Sequence, residues 1–198
     1  MELILVRHGL AEGQVGKAIG HTDLVLSESG ADAIRRLAGT APTAPSQIIS
    51  SDLARARESA ALLAAPWALT PTVDARLREM DFGRWDGRTW AEIEAEDAPA
   101  MMAWMGEWWN VSVPGGEGFG DLRRRVRAWH DEMLAEGRKG PVWVVTHAGV
   151  IRALLVELLQ WPAERAYALA SDHAHVTVLR HGGDAVSLRC LNSPSFLG

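Results

Sequence analysis

Residues 3–6, Leu-Ile-Leu-Val, run without interruption into Arg7-His8-Gly9. A short apolar run rich in branched side chains predicts a buried strand. Its end carries a fixed cation, an imidazole and a glycine at which the chain can turn. In open α/β sheets, ligands bind beyond the carboxyl ends of the strands. An Arg-His pair at that place can bind an anion and attack it. Whatever this chain folds into must bury the strand and leave its last residues facing a ligand.

A second run ends alike. Val142-Trp143-Val144-Val145-Thr146 reads as a buried strand and passes into His147-Ala148-Gly149. A third short strand, Gln47 to Ser51, is followed by a helix with Leu53, Ala56, Ala60 and Leu63 on one stripe, Asp52 as its expected cap, and Arg55 and Arg57 in its opening turns. Ser27 is placed to cap a helix carrying Ile34 and Leu37, after a Gly-rich loop over residues 10–26. Phe119, Leu122, Val126, Trp129 and Met133 alternate spacings of three and four, a helix that Gly137 and Gly140-Pro141 end. A helix from Val150 to Gln160, a short strand near Thr72-Val73, and a hairpin-like pair over 175–180 and 185–191 complete the pattern. Strands alternating with helices predict α/β, a three-layer α/β/α arrangement with a mainly parallel central sheet. All 198 residues are expected to form one domain.

If the three strands are parallel neighbours, two histidines and one or two arginines converge at one sheet edge. Helix N-termini add N–H donors there, and the guanidinium fork matches phosphate oxygens. A lone histidine after a strand is more often structural. Two such strand ends with a strand-linked arginine are a far rarer coincidence.

Composition narrows the partners. The formal net charge of -5 argues against a general nucleic-acid binder. Cys190 is the only cysteine, which excludes an internal disulfide and argues against a Cys-based metal site. No charged leader or h-region precedes the first strand, and no apolar run reaches bilayer-spanning length. The expectation is a cytoplasmic protein with neither membrane nor nucleic acid as partner. No Gly-x-x-x-x-Gly-Lys-Ser/Thr loop supports a nucleotide-dependent enzyme.

The motifs together resemble the histidine phosphatase superfamily, also called the phosphoglycerate mutase-like family. Leu5-Val6-Arg7-His8-Gly9 is similar to its opening motif, and the loop from Gly20-His21-Thr22-Asp23 to Gly30 to its second. Ser50-Ser51-Asp52-Leu53-Ala54-Arg55-Ala56 resembles the third, which gives the phosphate-binding role to Arg55 and leaves Arg57 aside. The stretch from Leu77 to Gly87 resembles the segment supplying the proton donor, at Glu79, with Asp81 and Asp86 as competitors. Pro114-Gly115-Gly116-Glu117 and Val144 to Gly149 are similar to the last two. These motifs span residue 3 to about 152. Ala11 and Gln14 stand where many members have Thr and Asn, and Ser59 replaces a usual Thr.

The resemblance implies a metal-free, cofactor-free reaction in two steps. His8 attacks phosphorus, Arg7, Arg55 and a protonated His147 bind the non-bridging oxygens, and Glu79 protonates the leaving oxygen and then takes a proton from water. It also implies substrate contacts from Gln14, Gly20, His21 and Ala148. The length resembles the shorter phosphatases, including α-ribazole phosphatases and broad-specificity enzymes. The expected substrate is a small phosphate ester. Mutase-type transfer and a non-catalytic phosphoryl-binding module stand as alternatives. The Trp-rich insert, about 88–113, is expected to be helical and to cover the substrate, with Trp90, Met101, Met102, Trp104, Met105, Trp108 and Trp109 as an aromatic, apolar wall. The same tryptophans read equally as core or dimer contacts, since Trp and Met also collect at interfaces, which leaves a homodimer open.

Overall fold

The computed structural model describes residues 1–137, 139–183 and 185–196. Six strands form one sheet: β1 (Glu2–Arg7), β2 (Gln47–Ser50), β3 (Thr72–Val73), β4 (Val142–Thr146), β5 (Val176–Gly182) and β6 (Ala185–Ser193), in the order β3-β2-β4-β1-β5-β6. The pairings β2/β3, β2/β4 and β1/β4 are parallel, while β5 pairs antiparallel with β1 and with β6. The hairpin expected near Gly182-Gly183 is therefore β5–β6. The resulting sheet is mainly parallel with an antiparallel edge.

Alternation along the strands sends side chains to two cores. Ile4, Val6, Ile48, Trp143 and Val145 face one side, against α1 (Glu28–Ala38) and α2 (Ala54–Ala64) through Ile34, Leu37, Ala56, Ala60 and Leu63. Leu3, Leu5, Val142 and Val144 face the other, against α4 (Phe119–Ala135) and α5 (Ala148–Leu159) through Leu122, Val126, Ile151 and Leu155. These are the three layers expected from the sequence.

Ser27 caps α1 as expected, its hydroxyl accepting from the Gly30 N–H at 3.0 Å. Asp52 does not cap α2. Leu53 occupies that position without a side-chain bond, and the carboxylate of Asp52 faces away to take both donors of Arg78, at 2.7 and 2.5 Å. The cap comes from another loop, with Asp23 accepting from the Ala54 N–H at 2.6 Å.

The Trp-rich insert is mostly α3 (Trp90–Glu107), started by a Thr89–Glu92 capping box and broken at Asp97, two residues before Pro99. Ile93, Trp104 and Trp108 belong to the same core as Leu3 and Leu5, so the insert is continuous with the sheet's packing. No helix among the described residues is long and apolar enough to cross a membrane.

Candidate active site

Register places the two histidines side by side. Arg7 of β1 is level with Thr146 of β4, and the next residue on each strand is His8 and His147. The His8 N–H donates to the Thr146 carbonyl at 2.9 Å, and the imidazole centroids are 4.9 Å apart at 60°. On the far side of β4, the end of β2 leads to α2, whose first turn carries Arg55.

Each of the four central groups is buried or nearly so and held by its surroundings. His8 Nδ1 lies 2.6 Å from the Gly9 carbonyl, which can only accept, so Nδ1 bears the proton and Nε2 is a bare lone pair. Burial first, and then the charges of Arg55 and Arg7, hold this imidazole well below its usual pKa. His147 is depressed likewise, by burial and then by His8, Arg55 and Arg7. Neither ring nitrogen of His147 has a hydrogen-bond partner, nor does Nε of Arg7. Buried groups left so are costly, about 1–3 kcal/mol each, and such costs persist mainly where function needs the donors.

Arg55 is 1% exposed and donates to the carbonyls of Thr22 at 2.9 Å and Gly20 at 2.7 Å. Those carbonyls sit on a loop that Asp86 fixes by accepting four bonds, from the N–H groups of Gly20, His21 and Thr22 and the Thr22 hydroxyl. Arg7 donates to the Ser171 carbonyl at 2.5 Å, and burial lowers its pKa to about 10, so it remains a cation at neutral pH.

Across the pocket, Glu79 accepts from the N–H of Met80 at 2.9 Å and of Gly149 at 3.1 Å. Its charge is near enough to raise the proton affinity of both Arg7 and Arg55. The competing carboxylates are engaged elsewhere: Asp86 in the loop just described, Asp81 with the Gly83 N–H at 2.8 Å. Only Glu79 of the three lines the cavity beside Arg7, a space of about 250 Å³.

Residues expected to touch substrate are placed unevenly. Gln14 reaches the cavity, but its amide oxygen accepts from the Ala11 N–H at 2.9 Å and its nitrogen lies 3.0 Å from His173 Nε2. Gly20, His21 and Ala148 are not on the cavity wall, and neither are the buried His8, Arg55 and His147; Arg7 is the member of that cluster that reaches it. His21 instead places Nε2 3.0 Å from the Glu79 carbonyl. Arg57 is exposed and bonds the Asp52 carbonyl, outside the cluster.

The expected aromatic wall is narrower than the sequence suggested. Trp90 and Trp108 line the cavity. Trp104 is buried behind, stacked on Trp90 at 6.0 Å, while Met101 and Trp109 pack against the core. Met102 and Met105 point to solvent. Helix α3 is interrupted at Asp97, whose carboxylate accepts from the Trp85 indole at 3.2 Å.

Local pattern gives no signal for several further groups at the site. His173 stands 5.3 Å from His8, centroid to centroid, with its pKa pushed down to about 4 by burial and then by Arg7. Val6 is level with Val176 on antiparallel β5, so residues just before β5 lie beside those just after β1. Arg125 of α4 donates to the carbonyls of Arg76, Arg78 and Glu79 and to both oxygens of Glu117. Arg152 of α5 and Tyr167 line the cavity together with Arg7.

Residues 3–194 match the family model for the histidine phosphatase superfamily, branch 1. The chain belongs to that superfamily. It is 34% identical over 165 residues to the adenosylcobalamin/alpha-ribazole phosphatase of Salmonella typhimurium, covering 82% of each chain. The crystal structure of the alpha-ribazole phosphatase from Shigella flexneri superposes with a TM-score of 0.92 at 27% identity, covering 98% of each chain. A mycobacterial glucosyl-3-phosphoglycerate phosphatase in complex with inorganic phosphate superposes with a TM-score of 0.86 at 32% identity, again over 98% of each. The fold is thus phosphoglycerate mutase-like, and the chain is a phosphatase of the histidine phosphatase superfamily.

Proposed function

We propose that the protein hydrolyses a small phosphate monoester through a phosphohistidine on His8. The fixed tautomer of His8 carries this reading: with Nδ1–H tied to the Gly9 carbonyl, Nε2 is available to attack phosphorus. Arg7, Arg55 and His147 take the three non-bridging oxygens, where charge must be stabilised as the phosphoryl group transfers. The uncommitted nitrogens of His147 and Arg7 support this assignment. Burial first, and then the neighbouring cations, keep His147 neutral; a bound phosphoryl dianion counters those cations and draws a proton onto it.

As the His8 N–P bond forms, the bond to the ester oxygen breaks and Glu79 gives that oxygen its proton. Water then attacks phosphorus, Glu79 takes the water's proton, and phosphate leaves with His8 restored. His21 and Gly20 act behind this set, His21 by holding the Glu79 backbone and Gly20 by holding Arg55. Gln14 contributes its second amide N–H at the rim.

The insert over residues 88–113 covers the leaving group. Trp90, Trp108, Phe82 and Tyr167 give the cavity an aromatic wall, which suits a ring-bearing alcohol. α-Ribazole phosphate is one such ester, and a broad range of ring-bearing monoesters is the other form of this reading.

His8→Ala tests the reading. It abolishes monoester turnover and removes acid-labile labelling of the protein by radioactive substrate phosphate. Turnover retained in this variant rules out the nucleophile. A panel of monoesters ranked by kcat/KM then separates one preferred ester from broad action.

A further inference from the structure

The segment just before β5 is pinned to the end of β1. The Ala174 N–H donates to the Arg7 carbonyl at 3.1 Å, and the Arg7 N–H to the His175 carbonyl at 3.2 Å. Asp172 is tied to Asn192 of β6 by two bonds, at 2.6 and 2.8 Å, and the His173 carbonyl lies 3.0 Å from His175 Nδ1. Ala174 takes a φ of 56°, a left-handed conformation uncommon outside glycine. His173 is therefore held rigidly against the His8 ring, edge to face, yet the mechanism above gives it no task. Its ring meets Gln14. The Ala11 N–H can only donate, so the Gln14 end that it meets at 2.9 Å is the amide oxygen. The amide nitrogen then faces His173 Nε2 at 3.0 Å. That nitrogen can only donate, so Nε2 accepts and the ring proton sits on Nδ1. Burial and then Arg7 favour this neutral ring. The second N–H of Gln14 has no other partner among the described residues, and Gln14 lines the same cavity as Arg7.

We propose that His173 is a positioning residue for phosphoryl binding: it accepts one N–H of Gln14 and so aims the other at an oxygen of the phosphoryl group. This rests on the phosphatase reading above, in which Arg7, Arg55 and His147 hold that group. A glutamine side chain has several rotors, and an unrestrained one loses much freedom when its amide meets a ligand. Here that freedom is removed in advance. The Ala11 N–H holds one end of the amide and His173 the other. His173 touches no substrate; it acts through Gln14.

The test measures competitive inhibition by inorganic phosphate of 4-nitrophenyl phosphate hydrolysis, with the intact protein. His173→Phe keeps a ring against His8 and removes the acceptor. Its inhibition constant rises about 3- to 10-fold, the range for one side chain that must be ordered on binding. His173→Asn restores an acceptor and stays within about twofold of wild type. Gln14→Met weakens phosphate by at least as much as His173→Phe, and adding His173→Phe to Gln14→Met weakens it no further, the non-additivity expected of two residues in one chain of action. An unchanged constant in His173→Phe overturns the inference. So does a loss in His173→Asn equal to that in His173→Phe, or a loss from His173→Phe that is the same with and without Gln14, because His173 then acts through packing on His8. All three leave the phosphatase reading standing. Wild-type turnover no higher than that of His8→Ala overturns that reading and the inference with it. Should His173→Phe not fold, the ring-nitrogen chemical shifts of His173 in the wild type decide: a proton on Nε2 overturns the inference, and a bare Nε2 beside a protonated Nδ1 supports it.

Discussion

The backbone N–H of Gly149 donates to Oε2 of Glu79 over 3.1 Å, joining the helix that begins beside His147 to the carboxylate across the pocket. A side chain at 149 cannot coexist with that carboxylate. A Cβ there would overlap Oε1 of Glu79 and stand 3.2 Å from its Cδ and 3.3 Å from Leu122. Gly149→Ala is therefore expected to displace Glu79 with little effect on the fold, since alanine suits a helix. Activity should fall about 10- to 100-fold on esters with poor leaving groups and much less on 4-nitrophenyl phosphate. An equal loss on both would place the fault in phosphate binding.

Glu79→Gln separates proton donation from position. The amide keeps an acceptor for one of the two N–H groups that Glu79 holds, that of Gly149 or that of Met80, and has no acidic proton to give. Turnover of alkyl phosphates is expected to drop by roughly 10²- to 10⁴-fold, and that of esters whose alcohols leave unaided to drop far less. The steepness of rate against leaving-group acidity is the measurement. An unchanged slope removes Glu79 from the acid role.

The parts of this site that local pattern encodes are readable in the sequence. Apolar runs mark β1 and β4, so pattern alone puts His8 and His147 at strand ends. Arg55 cannot be told from Arg57 by pattern, because both fall in the opening turns of α2; the motif resemblance chooses between them, and the structure puts only Arg55 against the loop at Gly20 and Thr22. Asp52 and Asp23 show the limit more sharply. The cap of α2 comes from 31 residues upstream, and the residue expected to cap it is drawn to Arg78. Placing His173 depends on knowing that β5 runs antiparallel to β1, a pairing that no local period encodes. Trp104 and Trp90 look alike in sequence, and only the packing of α3 distinguishes Trp90 on the cavity wall from Trp104 buried behind it.

Arg125 supports the segment that carries Glu79. It donates to three backbone carbonyls there and pairs with Glu117, which also accepts from the Asp81 N–H at 3.0 Å. Arg125→Met leaves those carbonyls short of a donor and Glu117 without a counter-charge. Both partners are only partly buried, so the cost should be about 2–3 kcal/mol in urea unfolding, below that of breaking a fully buried pair. Adding Glu117→Gln should restore part of the loss by removing the lone charge. A double variant no more stable than Arg125→Met would mean that the carbonyl bonds, not the ion pair, carry the effect.

Histidine burial sets the acid side of the stability profile. His8, His147 and His173 all have folded pKa values below the unfolded value of 6.5, and that of His173 is about 4. Below pH 6.5 the unfolded chain binds protons that the folded protein refuses, so stability rises with pH across this interval. The contribution is complete above pH 6.5 and is lost as pH falls from there toward the folded values. For His173 that window runs from 6.5 to about 4. The unfolding midpoint in urea should drop steadily through it. His173→Asn, which keeps a side chain able to bond Gln14, should lower the proton uptake on unfolding at pH 5 by about one. A pH slope identical in wild type and His173→Asn would show that His173 is already protonated in the folded protein, and that its contact with Gln14 Nε2 is not that of a neutral acceptor.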